Sequence, residues 1–86
     1  MKMSTLLQSP CVRILLFLYD RDEVRYTELT NLIASRGTLS VNLKELDAEG
    51  LLQRRIVATK PIQAHYSLTD KGIEIATYLD KIMETL

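Results

Sequence analysis

The sequence is poor in the residues on which most small enzymes and metal proteins depend. Its 86 residues include one cysteine, one histidine, no tryptophan, three glycines and two prolines. Cys11 alone cannot close an intrachain disulfide, and Cys11 with His65 supplies only two of the four ligands that a structural zinc site needs. The sequence also has no Gly-rich phosphate loop, HExxH motif or serine nucleophile elbow. We therefore expect no enzyme, no metal site and no cofactor.

Long apolar runs and an excess of one charge are also missing. The longest apolar run covers residues 14–19, whereas a membrane-spanning helix needs about 20 residues. Eleven basic residues balance eleven acidic ones, and 47% of the residues are hydrophobic, which argues against disorder. Residues 1–5 show no leader pattern. These features predict one soluble, cytoplasmic domain over residues 1–86, with no membrane contact and no small-molecule ligand evident.

The charges are unevenly distributed although their sum is zero. Residues 36–65 hold five basic and three acidic residues, whereas residues 66–86 hold two basic and four acidic ones. Nucleic-acid-binding proteins usually carry an excess of Lys and Arg. The neutral sum therefore argues against such a function, and the mildly basic middle third argues for it.

Two helices are predicted in the first part of the chain. Ser9 and Pro10 are typical of a helix start, and the apolar run that follows indicates a helix buried on more than one side. This helix is expected to end at residues 20–23. After a short extended segment at residues 24–26, Thr27 is expected to cap a second helix over about residues 28–34.

A third helix is predicted over about residues 36–49. Ser35 suits its N-cap, and Gly50 suits the left-handed position that often follows a helix. The spacing of Leu39, Leu43 and Leu46 puts them on one stripe, so that small and polar residues collect on the opposite side. Two short helices joined by two or three residues form a helix-turn-helix layout.

A hairpin and a final helix complete the predicted order. Strand candidates at residues 51–57 and 64–68 enclose a long loop at about residues 58–63, which contains Pro61. Thr69 and Asp70 suit the start of the last helix. The predicted fold class is α+β and mostly helical. It is a winged helix-turn-helix with a three-helix core, a β-hairpin wing and a C-terminal dimerisation helix.

The last helix has a broader apolar face than a domain of this size needs. Its apolar residues recur at alternating steps of three and four, which is the seam that two helices use to pack along their length. The surplus predicts a homodimer. The expected interface residues are Ile75, Leu79, Ile82, Met83 and Leu86.

The outward side of the third helix has the chemistry that major-groove recognition requires. Arg36 suits a guanine, Val41 suits a thymine methyl, and Ser40 and Lys44 suit a phosphate or a base edge. Lys60 at the wing tip suits a phosphate or the minor groove. The residues expected to contact double-stranded DNA are Tyr26, Thr27, Arg36, Gly37, Thr38, Ser40, Val41, Lys44, Arg54, Arg55 and Lys60.

Each of these residues also has an ordinary structural interpretation. The third helix can simply present a solvated face, Tyr26 can be a core edge, and adjacent Arg54 and Arg55 point to opposite faces of a strand. Cys11 is expected in the core and His65 on the surface. The acidic residues at positions 20–23 are expected to be a solvated helix end rather than a cation site. A winged helix that binds another protein, without specific DNA binding, is the alternative function.

The motifs resemble those of HxlR-type transcriptional regulators, within the broader MarR, PadR and ArsR-like winged helices. The resemblance rests on residues 25–29, on the run Leu43-Lys44-Glu45-Leu46 through Gly50-Leu51-Leu52, and on the exit Tyr66-Ser67-Leu68-Thr69-Asp70-Lys71-Gly72. It implies a homodimeric, sequence-specific DNA-binding regulator that dimerises through its terminal helices. The family's Cys-Pro motif and its Gly-Lys-Trp opening are missing, so thiol sensing is not expected of Cys11.

Overall fold

The structure, a computed structural model, describes residues 8–86, and residues 1–5, where no leader is expected, lie outside the described part. In chain order the elements are α1 (Pro10–Tyr19), β1 (Val24–Arg25), α2 (Tyr26–Leu32), α3 (Arg36–Ala48), β2 (Leu52–Val57), β3 (Gln63–Leu68) and α4 (Asp70–Thr85). The predicted α+β winged-helix fold is thus confirmed. Within residues 8–86, none of the helices has the length and apolar content needed to cross a bilayer.

The sheet has one strand more than the predicted hairpin. β1 pairs with the free edge of β3, and the strand order β1-β3-β2 makes β3 the central strand. His65 therefore lies between Arg25 on β1 and Arg55 on β2. Its side chain lies on the outer face of the sheet, as expected, but is only 16% exposed because strands flank it on both sides.

The start of α1 agrees with the prediction and that of α2 does not. Ser9 is the N-cap residue of α1 and Pro10 is its first residue, although the Ser9 hydroxyl makes no cap bond. α2 begins at Tyr26 and ends at Leu32, so Thr27 lies inside the helix and the predicted bounds 28–34 were wrong. The reason is local, since the Glu28 carboxylate reaches back to accept from the backbone N–H of Arg25 at 2.8 Å.

The caps predicted for the other two helices are confirmed. The hydroxyl of Ser35 accepts from the N–H of Thr38, and that of Thr69 accepts from the N–H of Gly72. Gly50 has a φ of +74°, the left-handed conformation expected after α3. Gly72 allows α4 to pack closely, because an added Cβ would lie 1.9 Å from the carbonyl oxygen of Leu51.

The core lies between α1, α2, α3 and the inner face of the sheet. Ile14, Leu18, Leu29 and Leu39 have no exposed surface, and Leu43 and Leu46 from the predicted stripe are also buried. Burying a side chain of this size contributes about 1.5–3 kcal/mol. The leucine stripe therefore fixes which side of α3 faces inward, and the opposite side is turned to the solvent.

Candidate nucleic-acid interface

The outward side of α3 is open to solvent. Arg36, Gly37, Val41 and Lys44 are all exposed, with Val41 at 55%, and we call these four residues the recognition surface. Thr38 and Ser40 lie at its border and are half-buried. Neither the wing nor another described element covers this side, so the predicted outward orientation is confirmed within residues 8–86.

Two hydrogen bonds from α1 hold the helix-turn-helix in place. The Cys11 thiol donates to the Asn42 side-chain oxygen on α3 at 2.8 Å, and the Asn42 amide donates to the Thr38 carbonyl at 2.7 Å. The Arg13 guanidinium donates to the carbonyl of Leu32, the last residue of α2, at 2.8 Å. Burial, followed by the nearby Glu45 carboxylate, raises the pKa of the Cys11 thiol, which keeps it protonated and able to donate.

The six arginines divide into two groups of three. Arg13, Arg21 and Arg55 are engaged, with the Leu32 carbonyl, with Asp20 and with Glu23 respectively. The other three make no side-chain hydrogen bond or ion pair with any residue in 8–86, and all three are exposed: Arg25, Arg36 and Arg54. These unengaged arginines lie on β1, on α3 and on β2. Their charge can meet a polyanion without first breaking an internal contact.

The neighbours Arg54 and Arg55 lie on opposite faces of β2. Arg54 is in register with Tyr66, which points into the core, and Arg55 is in register with His65 on the outer face. Arg54 and Lys44 line one cleft of about 190 Å³ between α3 and β2, together with Asp47. Of the two arginines, Arg54 therefore shares a surface with α3.

Arg55 belongs to an ion cluster on the outer face of the sheet. Its Nη2 and Nε donate to the Glu23 carboxylate at 2.6 and 3.1 Å, and His65 Nδ1 lies 3.1 Å from the same carboxylate. The hydrogen bond from Arg55 holds the pKa of Glu23 below its ordinary value. Within residues 8–86, no group of three or more His, Cys, Asp or Glu side chains is placed to hold a metal ion.

The remaining predicted residues lie in the wing and at the start of α2. Lys60 is exposed in the loop between β2 and β3, and Thr27 is exposed in the first turn of α2. Tyr26 packs against the core, with its ring centroid 6.5 Å from that of Tyr66, as its alternative interpretation required. A groove of about 220 Å³ separates α2 from the wing.

The C-terminal helix presents a second exposed surface of different chemistry. Ile75, Tyr78 and Leu86 are 37%, 55% and 72% exposed, and Ile82 between them is half-buried. We call these four residues the terminal stripe. Leu79 packs against the protein's own core, and Met83 is 46% exposed beyond the end of that core.

Two candidate residues were missed by sequence reasoning. Tyr78 belongs to the terminal stripe, and its position three residues after Ile75 is the helical spacing that pointed to it. Arg25 lies beside the groove at the wing. No local pattern indicated Arg25, because its position depends on the pairing of β1 with β3.

Comparison with known proteins identifies similar chains. The family model described as HxlR-like helix-turn-helix matches residues 10–86. The chain is 44% identical over 48 residues to the uncharacterized HTH-type transcriptional regulator YvaP of Bacillus subtilis (strain 168), which covers 56% of this chain and 44% of that protein. It is 35% identical over 74 residues to an uncharacterized HTH-type transcriptional regulator of Halalkalibacterium halodurans, covering 83% of this chain and 66% of that protein. The chain thus spans about half to two thirds of the length of these relatives.

A solved structure agrees with this comparison. A protein described as a MarR-family transcriptional regulator from Porphyromonas gingivalis W83 has a TM-score of 0.73 at 30% identity. The similarity covers 83% of this chain and 72% of that chain. The predicted resemblance and the winged-helix fold are both confirmed by these similarities.

Proposed function

This chain belongs to the HxlR-like helix-turn-helix family, and we propose on that premise that it is a homodimeric, sequence-specific DNA-binding regulator of transcription. Double-stranded DNA and a second copy of the chain are its proposed partners, and the cytoplasm is its proposed location. α3 enters the major groove, and the wing contacts the backbone or the adjacent minor groove. No catalytic step is part of this function.

The observation that carries the proposal is the chemistry of the recognition surface. Two small or apolar positions, Gly37 and Val41, lie between two exposed cations, Arg36 and Lys44. A helix can approach base edges only where its side chains are small, and Arg is the residue that most often reads guanine. A helix face used only for solvation needs neither feature.

Contacts to the DNA sugar–phosphate backbone are also assigned from the exposure and charge of side chains. Arg54, which lies beside Lys44 in the cleft between α3 and β2, and Lys60, which lies in the wing loop, are exposed cations. We leave Arg55 out of the contact surface because its guanidinium is engaged by Glu23. Thr27 remains a backbone contact, whereas Tyr26 supports the fold from the core edge.

Dimerisation is proposed through the terminal stripe. A monomer rarely leaves a row of large apolar side chains exposed along one helix, since their burial is favourable by about 25 cal/mol per Å². A second copy of α4 is complementary to the first, because a two-fold interface brings the same patch together from both protomers. Two recognition helices then lie about 34 Å apart, in successive major grooves.

The test selects bound sequences from a random duplex library, then measures the affinity of variants for the enriched site. We expect an inverted repeat, and we expect Arg36→Ala and Lys44→Ala each to cost about 1–3 kcal/mol per half-site. Arg55→Ala is the matched control, a basic residue next to Arg54 whose removal leaves this affinity unchanged. A library without enrichment, or variants that bind like wild type, favours the protein-interaction alternative.

A further inference from the structure

The groove between the wing and α2 is lined from two sides. Arg25, Tyr26 and Thr27 line it from the start of α2, and Pro61, Ile62, Gln63 and Ala64 line it from the wing and β3. Ile62 is 71% exposed, among the highest values for large apolar side chains in residues 8–86. A groove of about 220 Å³ that has one cation, Arg25, in an otherwise uncharged and largely apolar lining is suited to a ligand with one anionic and one apolar part.

Arg25 is the cation that makes this groove distinctive. Its backbone N–H is satisfied by Glu28, but no carboxylate in residues 8–86 lies within 4 Å of its guanidinium. Arg21, four residues earlier, is instead fixed by Asp20 and by contact with the Phe17 ring. The Arg25 fork is therefore available for bidentate hydrogen bonds to an external anion, which planar guanidinium groups favour.

The sugar–phosphate backbone of DNA has the two parts that the groove requires. In this groove a phosphate oxygen would accept from the Arg25 guanidinium and the Thr27 hydroxyl, and the apolar edge of a deoxyribose would pack on Ile62. The groove adjoins Lys60, which is already part of the proposed contact surface. A duplex that contacts Lys60, as proposed, would bring its backbone next to this groove.

We infer that the Arg25 groove is a binding site for one sugar–phosphate unit of a DNA duplex in each protomer. This assignment rests on the proposed function and adds to it a residue that sequence reasoning had not identified. The site fixes the position of the duplex between α3 and the wing. It carries no base specificity, because it touches the backbone alone.

The experiment measures the affinity of Arg25→Ala, Arg25→Lys and Arg21→Ala for the selected duplex at several salt concentrations. The plot of log K against log salt has a negative slope, and each lost phosphate contact makes it shallower by about 0.9. A dimer loses two contacts, so its slope becomes shallower by about 1.8. We expect that decrease for Arg25→Ala, with equal losses on specific and unrelated duplexes. Arg25→Lys keeps the charge and the slope but binds more weakly, and Arg21→Ala behaves like wild type.

A second measurement locates the contact and separates it from folding. Duplexes with a single methylphosphonate linkage lack one phosphate charge at a known position. At one such position the modified linkage is expected to lower the DNA affinity of wild type but to leave that of Arg25→Ala unchanged. Ile62→Ser is expected to lower the affinity without changing the slope, and urea unfolding checks that each variant is folded. A wild-type slope in Arg25→Ala overturns the groove assignment and leaves the proposed function intact. Failure of wild type to bind any duplex overturns both.

Discussion

The recognition surface on α3 and the terminal stripe on α4 are both exposed, but they differ in what they expose. The recognition surface combines two cations with small or apolar positions, whereas the terminal stripe is a row of large apolar side chains. The cations lose little by remaining hydrated, while the apolar row gains free energy only when it is covered. The difference in chemistry therefore supports the proposed polyanionic partner for the recognition surface and the proposed second apolar surface for the terminal stripe.

Local support differs between the two surfaces as well. The recognition surface lies on a helix whose other side is fully buried and which is anchored to α1 through Cys11 and Asn42. The terminal stripe lies on a helix whose buried residues are Gly72 and Ala76, both in its first half. A rigid support suits the reading of base edges, and an unburied helix end suits packing against a partner.

The largest effect is expected from a charge placed in the terminal stripe. Ile75→Lys should raise the dimer dissociation constant by about 100-fold or more, because an unpaired charge in a buried interface costs several kcal/mol. Sedimentation equilibrium measures this constant. Ile73→Lys is the control, since Ile73 is also exposed but lines a different cavity, beside Asp20 and Asp22, where lysine is better tolerated than glutamate. Equal dimer dissociation constants for Ile75→Lys and Ile73→Lys would show that the terminal stripe is not the dimer interface.

A smaller effect is expected from Gly37→Ala, which should raise the stability of the protein but lower its affinity for DNA. An added Cβ meets no atom within 4 Å, so Gly37→Ala should stabilise α3 by up to about 1 kcal/mol. The same methyl group stands between the helix backbone and a base edge, so DNA affinity should fall by about 10-fold, or 1.4 kcal/mol. Urea unfolding and duplex titration of one variant test both signs. Gly50→Ala is the contrast, because the φ of +74° makes alanine destabilising there. Unchanged affinity of Gly37→Ala would contradict close approach at this position.

The recognition surface could largely be predicted from sequence because its determinants are short-range. The caps at Ser35 and Thr69 and the left-handed Gly50 depend on residues within four positions, and the leucine stripe follows from helical spacing alone. The start of α2 was predicted wrongly because Glu28, rather than Thr27, satisfies the first N–H group. N-cap preferences do not show which of two nearby side chains forms the capping hydrogen bond at a helix start.

The parts that could not be predicted depend on one long-range pairing. β1 has only two residues, too few for a strand pattern, yet its pairing with β3 encloses His65 and brings Arg25 to the wing groove. The register of β2 against β3 likewise decides that Arg54 faces α3 while Arg55 meets Glu23. Sequence alone limits the choice to one arginine of the two, and only the sheet tells which.

The smallest effect is expected at Glu23, in a cluster that belongs to neither exposed surface. The hydrogen bond from Arg55 gives Glu23 a lower pKa in the folded chain than in the unfolded one. Its contribution to stability is therefore present above the ordinary glutamate pKa and is lost as the pH falls through the lowered value. Glu23→Gln should be slightly less stable than wild type at pH 7, and the difference should shrink as the pH falls below the ordinary glutamate pKa of about 4.3 and through the lowered one. Urea unfolding of both proteins across this range measures the difference, and DNA affinity at pH 7 should be equal. A stability gap that persists in acid would contradict the ion pair as its source, and a loss of affinity alone would mean that the Glu23 carboxylate also takes part in binding.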